Sequence, residues 1–356
     1  MHLHGIGTAT PRTVYSKAEC LAAFEASDWF ARLDERAHWI ARSVLQRDNG
    51  IETRHLAVDT LAEVFTIDAD TLARRFARHA PLLAVQAARQ ALDRACVAPA
   101  DIGAVIVSTC TGTLCPGLSG YVIEGLPLPP DVLAFDLVGQ GCGAAVPNLQ
   151  MGQALLASGQ ARHVLSVCVE ISSAAMYLDN DPGVLISACL FGDGAGAAVL
   201  SAQPPAGVRS VRWHDSASIT DPSQREALRF ETRGGLLRNV LTRGVPALAA
   251  EHGGAVLDTV LARNGLKPSD MHAWILHAGG RDVLQALQQR LALQPADLRY
   301  SADMLRRYGN LSSAFVYFVL QAALANSGPG GAAPGWWWLS SFGAGFSCHG
   351  ALLEVA

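Results

Sequence analysis

The sequence predicts a duplicated α/β fold, layered as an αβαβα sandwich, on three observations. The composition suits a large buried core, with 356 residues that are 50% hydrophobic and only 16% charged. LDRACVAPADIGAVIVSTCTG, from Leu92, is echoed by LARNGLKPSDMHAWILHAGG, from Leu261, with Pro99/Pro268 and Asp101/Asp270 each 169 positions apart. GCGAAVPNLQMGQALLASG, from Gly141, is echoed by GNLSSAFVYFVLQAALANSG, from Gly309, with Gln153 and Gln321 168 apart. Two echoes at nearly one spacing point to a repeat rather than to shared helix composition.

Taken in order, MHLHGIGTATP opens as a strand. Both members of the first echo read as a helix end, a short turn, and a buried strand, VIVST in one copy and AWILH in the other. Both members of the second read as a glycine followed by a long apolar helix. AFVYFVLQAAL is apolar all round and asks for burial on all sides, which a layered sandwich supplies. SGPGGAAPG, 327–335, reads as a loop before WWWLSSFG. No linker-like stretch divides the chain; the halves are set at 1–205, with a candidate cysteine nucleophile, and 206–356, with a candidate histidine and asparagine.

Composition also excludes function classes. A net charge of −4 gives no electrostatic case for a nucleic-acid partner. Lys17 and Lys267 are the only lysines, which weakens any Schiff-base chemistry. There is no secretory leader and no apolar run of membrane length, so a soluble cytoplasmic protein without stable membrane insertion is expected. The eight cysteines form no CxxC pair and Cys110 and Cys115 lack nearby histidines, so reduced thiols and no metal site are expected.

The repeat sets Cys142 and Asn310 in equivalent places, each after a glycine at a helix start, with His277 at the end of the strand matching VIVST. Pseudo-two-fold symmetry brings the three toward one centre. Singly, a cysteine packs a core, a histidine ends a strand and an asparagine caps a helix; their joint placement favours chemistry. A free thiol, with pKa about 8.5, is only a few per cent thiolate at neutral pH. A helix N-terminus favours the anion by about 0.3–1 kcal/mol, so a His277 imidazolium is expected to supply the remainder. Glycines 139, 141 and 143 allow a sharp turn and the approach of a bulky acyl group. The Asn310 amide and the His277 Nε2–H together suit an oxygen gaining negative charge, each such donor contributing about 2.7–4 kcal/mol in a transition state. An enolate formed by loss of CO₂ from a thioester, or a tetrahedral acyl-transfer intermediate, would use them.

On VGQGCGAA, LHAGG, YGNLSS, LFGDGAGAAVL and SFGAGFS, together with GIGTATP and GIETRHL, nearly the whole chain resembles the type III polyketide synthases, the chalcone and stilbene synthase-like branch of the thiolase superfamily. The resemblance implies a thiolase-like five-layered fold, a homodimer, and acyl-CoA and malonyl-CoA as substrates with no other cofactor. It implies that Cys142 takes the starter acyl group. His277 and Asn310 would bind the malonyl thioester carbonyl, with His277 also holding the thiolate. It marks Phe191 as a gate between the CoA tunnel and the growing chain, Asn239 in place of a second gating phenylalanine, and Ala175 where plant members carry a threonine. Ser312 of YGNLSS and Gly343 of SFGAGFS belong to the same substrate site, and Ala344 replaces a proline of that loop. Arg54 is the expected CoA-phosphate contact, while Arg74, Arg75 and Arg78 read as a solvated helix face. Pro147 is expected to disturb one helix hydrogen bond.

The small wall residues predict room for a long aliphatic starter, at about 0.8 kcal/mol per buried methylene, closed to an alkylresorcinol or alkylpyrone. Three rivals stand beside this reading. A single-condensation ketoacyl synthase III-like enzyme shares Cys-His-Asn but sets its histidine in an HQAN-like context, where this chain has HAGGR. A papain-like hydrolase lacks the duplication. A silent thiolase-fold subunit has no need of the three residues.

Overall fold

The computed structural model describes residues 1–205, 209–326 and 331–356. The first residues of the expected second half, 206–208, and residues 327–330 of the expected loop lie outside the described residues. Nine strands make the main sheet: β1 (His2–Ala9), β2 (Ile102–Ser108), β3 (Leu133–Leu137), β4 (His163–Glu170), β5 (Gly194–Ser201), β6 (Val211–Thr220), β7 (Met271–Leu276), β8 (Gly335–Gly343) and β9 (Ser347–Val355). Their order is β3-β2-β4-β5-β1 in the first half and β6-β9-β8-β7 in the second. The two meet where β1 pairs with β6 at His2↔Arg212 and Leu3↔Val211.

The halves repeat one plan. In the first, β2 runs parallel to β3 and β4, while β4–β5 and β5–β1 are antiparallel. In the second, β7–β8 is parallel, while β8–β9 and β9–β6 are antiparallel. Thus β6, β7, β8 and β9 stand for β1, β2, β4 and β5, and only a partner for β3 is lacking among the described residues. The pairing β2/β7 is the VIVST/AWILH echo. Every residue of β4 and β5 is buried, as near-continuous apolar runs covered on both faces should be.

Four helices complete the layers: α1 (Ala69–Ala95), α2 (Ala145–Ala157), α3 (Val245–Asn264) and α4 (Phe315–Ala325). Helix α1 covers β1, β4 and β5, and α3 covers β6 and β9. Helix α2 touches β2 and β4 of one half and β8 and β9 of the other; α4 touches β7 and β8 as well as β1 and β5. These two therefore form the central layer between the half-sheets, and the sandwich has five layers. That position explains why Phe315, Val316, Tyr317, Phe318, Val319 and Leu320 are all buried. Among the described residues no helix is long and apolar enough to cross a membrane.

The outer packing is close because the facing residues are small. Ala80, Ala84, Ala87, Ala88 and Ala91 recur at helical spacing on α1 and have no exposed surface. Opposite them, Gly5 and Gly7 share one face of β1, and a Cβ on either would collide with the backbone of α1, at Ala91 O and Ala87 O. The opening GIG thus serves packing.

Candidate active site

Cys142 lies in a short 3₁₀ turn, Gly141–Gly143, that leads into α2. Gly141 has a φ of +54°, and a Cβ on Gly143 would meet Gly343 N at 3.1 Å and the Phe342 carbonyl carbon at 3.2 Å. The end of β8 therefore docks on the cysteine turn, and glycine on both sides permits it. A Cβ on Gly343 would collide with Gln140 O, so glycine there lets the loop close on the turn. Pro147 costs no unpaired carbonyl either. The oxygen four residues back, Gly143 O, accepts from Ser341 Oγ at 2.9 Å.

From the second half comes the matching turn, Ser312–Ala314, before α4. Asn310 lies two residues ahead of it, which corrects the expected equivalence with Cys142. The chain first bridges to Phe191, with Asn310 N donating to Leu190 O at 2.9 Å and Gly192 N to Asn310 O at 3.0 Å, and only then turns. The residue set opposite Cys142 is Ser312, whose hydroxyl donates to Cys142 Sγ at 3.1 Å. Ser312 holds a left-handed φ of +51°, a conformation that costs a non-glycine residue about 1–3 kcal/mol. Asn310 Oδ1 secures it by accepting Ser312 N–H at 2.8 Å. Asn310 Nδ2 donates to Gly279 O at 3.2 Å, which leaves its second N–H without a protein partner.

His277 follows β7 and is only 1% exposed. Its ring meets Phe342 and Phe315 edge-on, at centroid distances of 4.9 and 5.5 Å. Neither ring nitrogen has a hydrogen-bond partner among the described residues, and burial pushes its pKa down to about 3. It is neutral at pH 7, with one N–H and one lone pair unpaired. Cys142 has a pKa raised to about 12, chiefly by burial; the Ser312 hydrogen bond opposes the shift and the charge of Glu170 adds to it. Burial thus disfavours the charged form of both groups, and it opposes the expected thiolate–imidazolium pair.

Glu170, at the end of β4, is a site residue that the sequence reading missed. It has no exposed surface. Its Oε2 accepts from Thr111 Oγ1 at 2.9 Å and Cys110 N at 3.0 Å, and its Oε1 accepts from Ser313 Oγ and lies 3.3 Å from Ser312 Oγ. Burial raises its pKa despite these donors. The signal was present: a carboxylate ends the otherwise buried run HVLSVCV, where an unpaired charge is not tolerated.

Beside this network lies a narrow cavity of about 40 Å³, whose lining includes Ser312, Cys110, Phe191, Ala175, Asn239 and Phe230. Four expected substrate residues, Phe191, Ala175, Asn239 and Ser312, thus share one wall. Asn239 stands across a hairpin from Phe230, so an aromatic ring reaches this wall from the neighbouring strand, which the sequence reading also missed. Asn239 Nδ2 donates to Ser187 Oγ at 2.9 Å, and its Oδ1 is buried without a partner.

Two arginine expectations are corrected. Arg54 is 7% exposed and donates from Nη1 to Ala188 O at 2.7 Å and Phe191 O at 3.1 Å. It holds the backbone at Phe191, and its buried guanidinium is not free to bind CoA phosphates. Arg75 is not solvated: it is 8% exposed and donates to Ser173 O and Glu63 O. Both satisfy backbone carbonyls of segments at or near the cavity.

Residues 18–214 match the family model described as FAE1/Type III polyketide synthase-like protein, and residues 221–356 match that for the chalcone and stilbene synthases, C-terminal domain. The chain belongs to the type III polyketide synthase family. The synthase is 32% identical over 321 residues to the 1,3,6,8-tetrahydroxynaphthalene synthase of Streptomyces peucetius subsp. caesius, covering 88% of this chain and 84% of that one. It is 28% identical over 329 residues to a 3,5-dihydroxyphenylacetyl-CoA synthase of Streptomyces toyocaensis, covering 90% and 82%. Its fold matches PKS-I of the brown alga Ectocarpus siliculosus with a TM-score of 0.89 at 24% identity, over 99% of this chain and 98% of that one.

Proposed function

We propose that this synthase loads an aliphatic acyl group from CoA onto Cys142, extends it with malonyl units and closes the product to an alkylresorcinol or alkylpyrone. In the loading step the Cys142 sulfur bonds to the thioester carbon and the bond to the CoA sulfur breaks. In extension, malonyl-CoA loses CO₂ and its thioester oxygen takes the charge of the enolate. The His277 N–H and the second Asn310 N–H stabilise that oxygen. The enolate carbon then attacks the acyl carbon on Cys142, a carbon–carbon bond forms, and the thiolate leaves. The observation that carries this reading is a pair of donors unshared among the described residues, one on buried His277 and one on Asn310, the latter linked to Cys142 through Ser312. A buried donor without a partner is costly, and a ligand oxygen supplies the partner. The reactants are CoA thioesters with no further cofactor, and the enzyme assembles as a homodimer.

The cavity wall supports an aliphatic starter. A second apolar cavity of about 30 Å³, lined by Phe24, Leu45, Leu61, Val64 and Phe65, shares Leu56, Met176 and Ala188 with the first. Each holds little as it stands, and a shift of the flexible Met176 side chain joins them into one apolar channel. Incubation with malonyl-CoA and octanoyl-, lauroyl- or aromatic acyl-CoA, read by product mass spectrometry, tests the proposal. Products from both aliphatic starters are expected, with lauroyl-CoA favoured, since each further buried methylene adds about 0.8 kcal/mol. Exclusive use of the aromatic starter would overturn it.

A further inference from the structure

At about 40 and 30 Å³, each cavity has room for a few water molecules and not for an acyl chain. Part of the wall must therefore yield to admit one. Phe230 and Asn239 come from a hairpin, strands Leu228–Arg233 and Leu236–Leu241, that forms its own two-stranded sheet and takes no place in the main one. Its turn, Gly234–Gly235, has φ of +58° and +79°, the geometry that joins two strands tightly enough to move as one. Only Asn239 of the two strands is buried, and an element with so little burial opens at low cost. The base is fixed: Leu228 O accepts from Gly345 N at 3.4 Å, and Leu241 O lies close against Gly183.

Charge holds the rest of the hairpin in place. Arg238 is only 11% exposed in its side chain and meets three carboxylates. One is Glu231 Oε1 on the hairpin itself, at 3.2 Å; the others are Asp179 Oδ2 at 3.3 Å and Asp181 Oδ2 at 3.2 Å, outside it. Arg233, mostly exposed, reaches Asp179 only at 4.0 Å. Asp181 also caps the helix Pro182–Leu190, its Oδ1 accepting from Gly183 N at 2.8 Å. That helix supplies Val184, Ser187 and Ala188 to the same cavity and runs into Phe191. Arg238 thus ties one wall of the cavity to the start of another.

We propose that hairpin 228–241 is the yielding wall of the acyl cavity and that Arg238 is a positioning residue that limits how far it yields. Arg238 acts through Phe230 and Asn239, which its ion pairs keep against the helix. Loosening those pairs lets both side chains withdraw, and the space gained takes the far end of a longer chain. Arg238 therefore tunes starter length. This inference rests on the cavity receiving the acyl chain, so one of its two tests needs no reaction.

In hydrogen–deuterium exchange on the full chain, amides of 228–241 are expected to exchange about tenfold faster in Arg238→Met, with β4 and β5 unchanged. The wild-type protein supplies the same test without a variant that must fold. Raising NaCl from about 0.05 to 0.5 M should speed exchange of the hairpin alone, because partly exposed ion pairs are screened. The second test compares the rates at which lauroyl-CoA and octanoyl-CoA acylate Cys142, a ratio in which effects on CoA binding cancel. It should rise about fivefold in Arg238→Met and return toward the wild-type value in Arg238→Lys, which keeps the charge. A residue that only supports the fold would slow both starters together. Hairpin exchange indifferent to salt and to Arg238→Met, or an unchanged starter ratio, overturns the inference. A wild-type protein that neither starter acylates counts against the acyl reading of the cavity, and the exchange result then decides the hairpin separately.

Discussion

His277 carries its chemistry because it is buried and unpaired, and that state has a measurable consequence for stability. Its pKa is about 3 in the fold against about 6.5 in an unfolded chain. Between those values the unfolded state binds a proton that the folded state excludes. The contribution is therefore fully present above pH 6.5 and is lost as pH falls toward 3, at about 1.4 kcal/mol per pKa unit. His349, lowered to about 4 by burial, acts in the same direction. The variant His277→Phe keeps a ring between Phe315 and Phe342 and removes the titration. Urea denaturation from pH 8 to pH 4 should show a stability gap between the two proteins that is constant above pH 6.5 and shifts in favour of the variant below it. Parallel curves would mean that His277 titrates in the fold as it does in the unfolded chain. Cys142 and His277 were singled out because one precedes a repeated helix and the other follows a repeated strand, while Asn310 was set opposite Cys142 at a position the structure gives to Ser312. Glu170 and the buried state of Arg54 were not legible, since both depend on which loop carbonyls and hydroxyls fold against them.

Elements meet closely here because small residues were placed where backbones touch. Gly5 and Gly7 on β1 face the alanine stripe of α1, and a Cβ at position 7 would strike the Ala87 carbonyl. A carbonyl in a helix cannot swing away as a long side chain does, so Gly7→Ala must lift α1 from the sheet. Overpacking of this kind costs about 1–3 kcal/mol, and a lowered Tm with retained secondary structure is the expected result by calorimetry and circular dichroism. An unchanged Tm would show that the helix is not seated on β1. The same comparison shows what periodicity can and cannot give. The apolar runs of β2, β7 and α4 fixed the layers correctly, while the turn before α4 was placed two residues early, because an extended bridge to Phe191 leaves no periodic mark.

Across the whole molecule, the site belongs to neither half alone. Cys142 and Glu170 come from the first half, and His277, Asn310 and Ser312 from the second, with α2 and α4 packed between them. The duplication was legible because two echoes share one spacing. The wall of the cavity was not, because a pocket is made by side chains that are distant in sequence, such as Ala175, Phe191 and Phe230. If the halves exist to bring a loadable sulfur to two unshared donors, the acyl group must be found on that sulfur. Brief incubation with lauroyl-CoA alone, acid quench, and peptide mapping by mass spectrometry will read this. A lauroyl adduct on the peptide bearing Cys142, absent from the Cys142→Ala variant, is the predicted result. An adduct confined to another cysteine such as Cys110, or no adduct on the wild-type protein, would contradict it.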